Sequence, residues 1–349
     1  MTHPIAILCL ILLLAIPIPF QAQTDEKIVR ILAFYNVENL FDTINHPDKI
    51  DDDFTPEGKN RFRSSDYQSK LLQTAKVISK IGGNGGSKGP DLIGLAEVEN
   101  KNVIVDLVNC KILGQHRYGI IHFESPDIRG IDVALLYKKD VFTPIHQSVF
   151  EVRIWKESGE RIHTRDILRV SGVLDGELLH LLVNHWPSRR GGRMRSEPKR
   201  MKAAFVVQNI LDEILLEDPD PKVIIMGDFN DDPINKSIAK GLLDPNKEDS
   251  LQVELFNPMR KLFRKGINSL AYRDNLNLFD QIILSESLHS TQADPKQFRL
   301  LHTAVFNPSF LTHQKGKYRG YPKRSFENNK YAGGFSDHYP VYVLMVKNR

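Results

Sequence analysis

Two short acidic motifs hold the residues of this chain best suited to chemistry. Gly227-Asp228-Phe229-Asn230-Asp231-Asp232 follows the apolar run 223–226, and Ser336-Asp337-His338 precedes the apolar run 339–345. A carboxylate and an amide two residues apart, as in Asp228 and Asn230, share one side of an extended strand. An Asp-His dipeptide at the mouth of another strand brings an acid and a base together. This is the equipment of metal-dependent phosphoester hydrolysis.

Three further clusters sit at strand-like ends. Asn36-Val37-Glu38-Asn39 follows the run 29–35, Glu97 follows 92–96 with Glu99 close behind, and Asn184-His185-Trp186-Pro187-Ser188 follows 178–183. Hard oxygen donors of this kind suit Mg²⁺ or Ca²⁺, and one or two carboxylates with waters are enough for Mg²⁺. Each cluster also has a bland reading: Asn36 as a turn former, Glu97 as a solvated strand end, His185 as a histidine with its hydrogen bonds satisfied.

The elements that must position these groups alternate along the chain. Short apolar, partly β-branched runs at 29–35, 92–96, 133–137, 178–183, 223–226, 281–284 and 341–346 predict strands. Tyr67, Leu71, Ala75 and Ile78 recur at helical spacing, as do Met201, Ala204, Phe205, Gln208, Leu211 and Leu215 behind a start signal at Ser196-Glu197-Pro198. The glycine-rich stretch 82–89 lacks the Lys-Ser/Thr of a phosphate-cradling loop and precedes a strand, so it predicts a connecting loop. No internal repeat or low-complexity linker divides the chain.

With 349 residues, 41% hydrophobic and 26% charged, the composition is that of a soluble globular protein, and the net charge of +4 does not by itself argue for a polyanionic partner. The run 5–18 is apolar but short for a membrane span and leads into Gln21-Ala22-Gln23, which reads as a signal peptide over residues 1–22. Its first residues lack Lys and Arg, and Cys9 lies too early for a lipobox. The expectation is a secreted or periplasmic protein without a stable membrane anchor, with residues 23–349 forming a single domain. After cleavage Cys110 would be the remaining cysteine, which leaves no intramolecular disulfide.

Taken in order, the five clusters resemble the endonuclease/exonuclease/phosphatase superfamily, the DNase I-like group that includes nucleases, inositol polyphosphate phosphatases and sphingomyelinases. Asn-x-Glu at Asn36, a strand-terminal Glu97, a strand-end His185, Gly-Asp-x-Asn at Asp228 and Ser-Asp-His at Asp337 occur in the family's sequence, and the likeness runs from about residue 29 to 346. The resemblance implies a four-layer α/β sandwich, two mixed β-sheets packed face to face with helices outside. It also implies roles. Asn36, Glu97 and Asp337 would hold a catalytic Mg²⁺, with Mn²⁺ or Ca²⁺ as alternatives. His338 oriented by Asp280 would handle the proton of the attacking water or stabilise the phosphoryl oxygens. Asp228 and Asn230 would position the nucleophile, and His185 would face the phosphate. Asp132 is a candidate orienter of His185, with a surface loop as the alternative, and Glu38 leaves a second metal site open.

Charge and loops bear on the substrate. Arg189, Arg190, Arg193, Arg195, Lys199, Arg200 and Lys202 follow His185 closely, which is either a solvated helix start or a track for a polyanionic backbone, with Arg189, Arg190 and Arg193 as the substrate-binding candidates. A second basic stretch, 315–330, interleaves six cations with Tyr318 and Tyr321, and aromatics among cations can stack bases. These features favour a secreted nuclease acting on DNA, with RNA open, over a phosphatase or phospholipase with the same centre. No protein partner is implied.

Overall fold

The computed structural model describes residues 26–83, 89–244, 252–290 and 294–349. The leader expected over residues 1–22 lies outside the described residues, as does the middle of the glycine-rich insert. Twelve strands form two sheets: β1 (Lys27–Leu40), β2 (Leu92–Val98), β3 (Tyr118–His122), β4 (Asp132–Lys138), β5 (Phe142–Phe150), β6 (Ile167–Leu174), β7 (Glu177–His185), β8 (Val223–Asp228), β9 (Leu255–Phe256), β10 (Asp280–Ser285), β11 (Arg299–Val305) and β12 (Val341–Asn348). The first sheet runs β11-β12-β1-β2-β4-β3 and the second β9-β10-β8-β7-β6-β5.

Strand periodicity explains the layering. In β1, Leu32 and Phe34 point into a core shared with Leu181 and Val183 of β7 and Ile224 and Met226 of β8. The intervening Ala33 and Tyr35 pack instead against Leu71, Ala75 and Ile78 of helix α1 (Ser64–Ile78) and Val103 and Leu107 of helix α2 (Lys101–Asn109). Helix α3 (Arg193–Glu217) covers the outer face of the second sheet, with Ala203, Val207, Ile210 and Ile214 against Leu182, Ile225 and Ile283. Both faces of the central strands are therefore buried, which is why they read as continuous apolar runs. The result is the expected helix–sheet–sheet–helix sandwich.

Each sheet contains one parallel pair, β1 with β2 and β7 with β8, and their carboxyl ends meet at one edge of the sandwich. Register places Asn36 opposite Ala96 and His185 opposite Asp228. The antiparallel β10 enters at the same edge, with Asp280 opposite Asp228. β12 enters there too, since Val341 pairs with Phe34. Gly227 is needed because a Cβ there would lie 2.4 Å from the Asn184 carbonyl oxygen.

Helix α3 begins at Arg193, earlier than the Ser196 signal, with Pro198 inside it. Among the described residues, no helix is long and apolar enough to cross a membrane.

Candidate active site

Two bulges aim the first pair of candidate ligands. The β1–β2 register slips between Asn36 and Leu40, and the β2–β4 register between Ala96 and Val98. Glu38, Asn39 and Glu97 take left-handed backbone angles of φ 52°, 56° and 63°, conformations costing about 1–3 kcal/mol each that cluster at functional sites. Glu97 Oε2 accepts from the Asn39 amide at 3.1 Å, which leaves Oε1 facing His185 Nε2 at 3.8 Å.

Asp228 is the hub. Its Oδ2 accepts from Asn36 Nδ2 at 3.1 Å and lies 3.6 Å from His185 Nε2 and 3.9 Å from His338 Nε2, while Oδ1 accepts from the Asn230 amide at 2.9 Å. Asn230 is not on the strand: its φ of 51° places it in a left-handed turn, where its Nδ2 donates to the Trp186 carbonyl at 3.0 Å. The shared side of Asp228 and Asn230 thus comes from a tight turn rather than from strand alternation.

His338 Nδ1 lies 2.6 Å from Asp280 Oδ2, which also accepts from the Ser269 hydroxyl at 2.6 Å. Burial opposes a charge on His338, but Asp280, Asp337 and Asp228 outweigh it and hold the imidazole well above its usual range. His185 moves the other way: burial, then Arg165, Arg129 and His338, push it well below that range. The two imidazoles that face the same centre are thus pushed in opposite directions, the divergence that separates acid from base roles.

Asp337 Oδ2 accepts from Arg324 at 2.9 Å, and its Oδ1 lies 3.8 Å from His338 Nε2. Burial pushes Asp228 up to about 7, with Asp280 and Glu97 adding to the push against His338. Burial and Asp337 likewise push Glu38 up to about 7 against Lys70 and Arg324. Carboxylates crowded to this degree fit a divalent cation, whose charge would relieve their repulsion. Among the described residues, Asp228, Asp280 and His338 bring potential ligand atoms within 4.8 Å of one another, as do His122, Glu124 and Asp132. In the first group Asp280 Oδ2 is already occupied by Ser269 and His338, which suits an acid–base pair.

Several expectations are corrected. Asp132 does not orient His185: its carboxylate accepts from the Ser125 amide at 2.9 Å and meets His122 Nε2 at 3.1 Å, while His185 Nδ1 is buried with no hydrogen-bond partner among the described residues. Arg189 is not available to a passing backbone. It donates to the Asn230 carbonyl at 2.9 Å, pairs with Asp231 at 3.0 Å and Asp232 at 3.3 Å, and lies over the Phe279 ring. Arg200 is buried against Asp231 at 2.6 Å. Arg190 and Arg193 are exposed. Glu38 is a latch rather than a free ligand, accepting from Arg324 Nε at 3.1 Å and the Ser325 amide at 2.5 Å. Glu99 accepts from the Asp42 amide at 2.7 Å.

Other contributors were not legible in the sequence. Arg165 is buried, pairs with Asp127 at 3.2 Å and donates to the Trp186 carbonyl at 2.6 Å, which fixes the turn after His185. Lys70, on α1, is buried and donates to the Val37 carbonyl, the Ser325 hydroxyl and the Phe335 carbonyl.

A family model described as Endonuclease/Exonuclease/phosphatase family matches residues 31–347. The chain belongs to that family. Similar solved structures include a Bacteroides thetaiotaomicron endonuclease/exonuclease/phosphatase family protein, 17% identical, covering 93% of this chain and 100% of that one with a TM-score of 0.56. A humanized D. rerio TDP2 is 14% identical, covers 91% of this chain and 98% of that one, and has a TM-score of 0.54. A B. thetaiotaomicron mannosyl-6-phosphatase is 17% identical, covers 90% of this chain and 99% of that one, and has a TM-score of 0.54. At these identities the likeness is one of fold. No curated protein matches the chain. Family membership makes the chain a phosphoric ester hydrolase, and the acidic cluster could hold a metal.

Proposed function

We propose that this protein is a Mg²⁺-dependent nuclease that hydrolyses phosphodiester bonds in DNA, exported from the cytoplasm by its apolar leader. The observation that carries the reading is the cationic character of both flanks of the acidic centre. Exposed Arg190 and Arg193 follow Arg189, which donates to the carbonyl of the Asn230 turn, and Arg324, within the basic stretch 315–330, contacts Asp337. A polymer extends on both sides of its scissile phosphate and uses both flanks, whereas a phosphomonoester has a chain on one side only.

A divalent ion bound by Asn36, Glu97 and Asp337, with Mn²⁺ or Ca²⁺ as alternatives to Mg²⁺, would neutralise charge developing on the phosphoryl oxygens. The protein groups divide the remaining work. Asp228, pushed up toward 7 by burial and fixed by Asn36 and the Asn230 amide, is poised to orient the attacking water and accept its proton. His338, held charged by Asp280, donates from Nε2 to a phosphoryl oxygen. Neutral His185 supplies a second donor beside Asp228 and Glu97.

The neighbouring structures include a TDP2 with a single-strand DNA product, and equally a mannosyl-6-phosphatase, so substrate class is the point to test. Purified protein with Mg²⁺ should degrade plasmid DNA and oligonucleotides. Turnover confined to sugar phosphates, inositol phosphates or sphingomyelin would overturn the reading in favour of the phosphatase or phospholipase alternative.

A further inference from the structure

A cavity of about 770 Å³ opens beside the acidic centre, and its lining includes Tyr272, Arg273, Lys317, Tyr318, Tyr321 and Arg324. Its volume falls within the roughly 300–1,000 Å³ typical of ligand sites. One wall is the hairpin of strands Leu270–Tyr272 and Asn275–Asn277; another is the loop carrying Tyr318 and Tyr321. The walls are pinned together, since the Tyr321 hydroxyl donates to Asp274 Oδ1 at 2.6 Å and accepts from the Asp274 amide at 2.8 Å. Arg324 connects the cavity to the chemistry, because it also binds Glu38 and Asp337.

Two aromatic–cation doublets stand out in a lining that also carries Asp53, Asp274 and Glu327. Arg273 lies over the Tyr272 ring at 5.2 Å and Lys317 over the Tyr318 ring at 5.7 Å. Tyr272 and Tyr318 remain 55% and 49% exposed, so both side chains are accessible to a ligand. An aromatic face next to a cation matches one nucleotide unit, with the base on the ring and its phosphate at the charge. Neither doublet is used by the catalytic groups described above.

We infer that this cavity binds the unpaired nucleotides adjoining the scissile phosphate, with bases stacked on Tyr272 and Tyr318, so that the enzyme selects single-stranded nucleic acid over duplex. The inference rests on the nuclease reading. A base can offer its face to a tyrosine only when it has left its stack, which in a duplex costs a few kcal/mol per base. The metal centre alone imposes no such requirement.

The test is cleavage and equilibrium binding of a labelled 12-mer, single-stranded and as a blunt duplex, by the full chain and by Tyr272→Ala, Tyr318→Ala and Tyr318→Phe. Binding is measured in chelator so that turnover does not interfere. The single strand should be preferred by about tenfold or more, each alanine should weaken its binding by about tenfold, and Tyr318→Phe should bind like the wild type. Both rings are partly exposed, so a melting curve for each variant separates lost stacking from lost folding. Equal handling of single strand and duplex, with unchanged single-strand affinity in both alanine variants, would overturn the cavity assignment while leaving the nuclease reading intact. No cleavage of either form would remove the nuclease reading and the cavity assignment with it.

Discussion

His338 Nδ1 and Asp280 Oδ2 stand 2.6 Å apart, both buried, and the contact leaves His338 Nε2 facing Asp228 and Asp337 at 3.9 and 3.8 Å. Asp280 thereby fixes both the ring orientation and the proton on Nδ1. If the two residues act as one unit, His338→Ala and Asp280→Asn should each lower the rate of DNA hydrolysis by about 10² or more, and the double variant should be little worse than either. Steady-state rates of the three variants decide it: losses that multiply would show that the residues work independently.

The basic run after His185 separates into structural and exposed cations. Arg189→Ala removes one partner from Asp231 and Asp232, both buried, and should lower stability by about 1–3 kcal/mol, read as a drop in melting temperature. Replacing the exposed Arg190 and Arg193 should leave melting nearly unchanged. For every phosphate that these two arginines neutralise in the wild type, the slope of log K against log salt should flatten by about 0.9 for duplex DNA or about 0.7 for single strands. An unchanged slope in the Arg190/Arg193 double variant would reduce those residues to a solvated surface.

The edge that gathers the candidate residues was legible in the sequence because these residues end the central, doubly buried strands, where apolar runs are unbroken and a sudden Asp, Glu or His stands out. The same logic fails at sheet edges. β5 contains Thr143, Pro144, His146 and Gln147, and β5 and β11 pair on one side only, so their partly exposed sequences carry no clean signal, while β3 is only five residues long and includes Gly119. β6 was not legible although it lies inside its sheet, since Arg169, Ser171 and Gly172 interrupt its apolar pattern. Helix α2 escaped because it is short, its start marked by Asn100, whose side chain accepts from the Asn102 and Val103 amides.

Long-range pairing was not legible either. Nothing in the sequence distinguishes Arg189, tied into Asp231 and Asp232, from its exposed neighbour Arg190, because the deciding partners lie about 40 residues away. Asp132 shows the same limit: its motif suggests His185 as a partner, and the fold gives His122, brought alongside by the β3–β4 pairing.

Stability should carry the mark of Glu99. Burial pushes its carboxyl up from 4.5 to about 8, with the Asp42 and Asn100 hydrogen bonds opposing. Between those two values the folded chain retains a proton that the unfolded chain has released, so this group's contribution falls as pH rises from about 4.5 to about 8. Glu99→Gln should therefore melt higher than the wild type at pH 8, with the difference shrinking toward pH 5. Melting curves across that range test the sign, and a variant less stable at pH 8 than at pH 5 relative to the wild type would refute it.

The most direct test of the central claim is the rate of single-stranded DNA hydrolysis by wild type and Glu97→Gln, each with Mg²⁺ and with EDTA. The account expects wild-type turnover that is abolished by chelator and restored by added Mg²⁺, and a Glu97→Gln variant that keeps its melting temperature but loses most of its activity. Full turnover in EDTA, or an unimpaired Glu97→Gln variant, would contradict it.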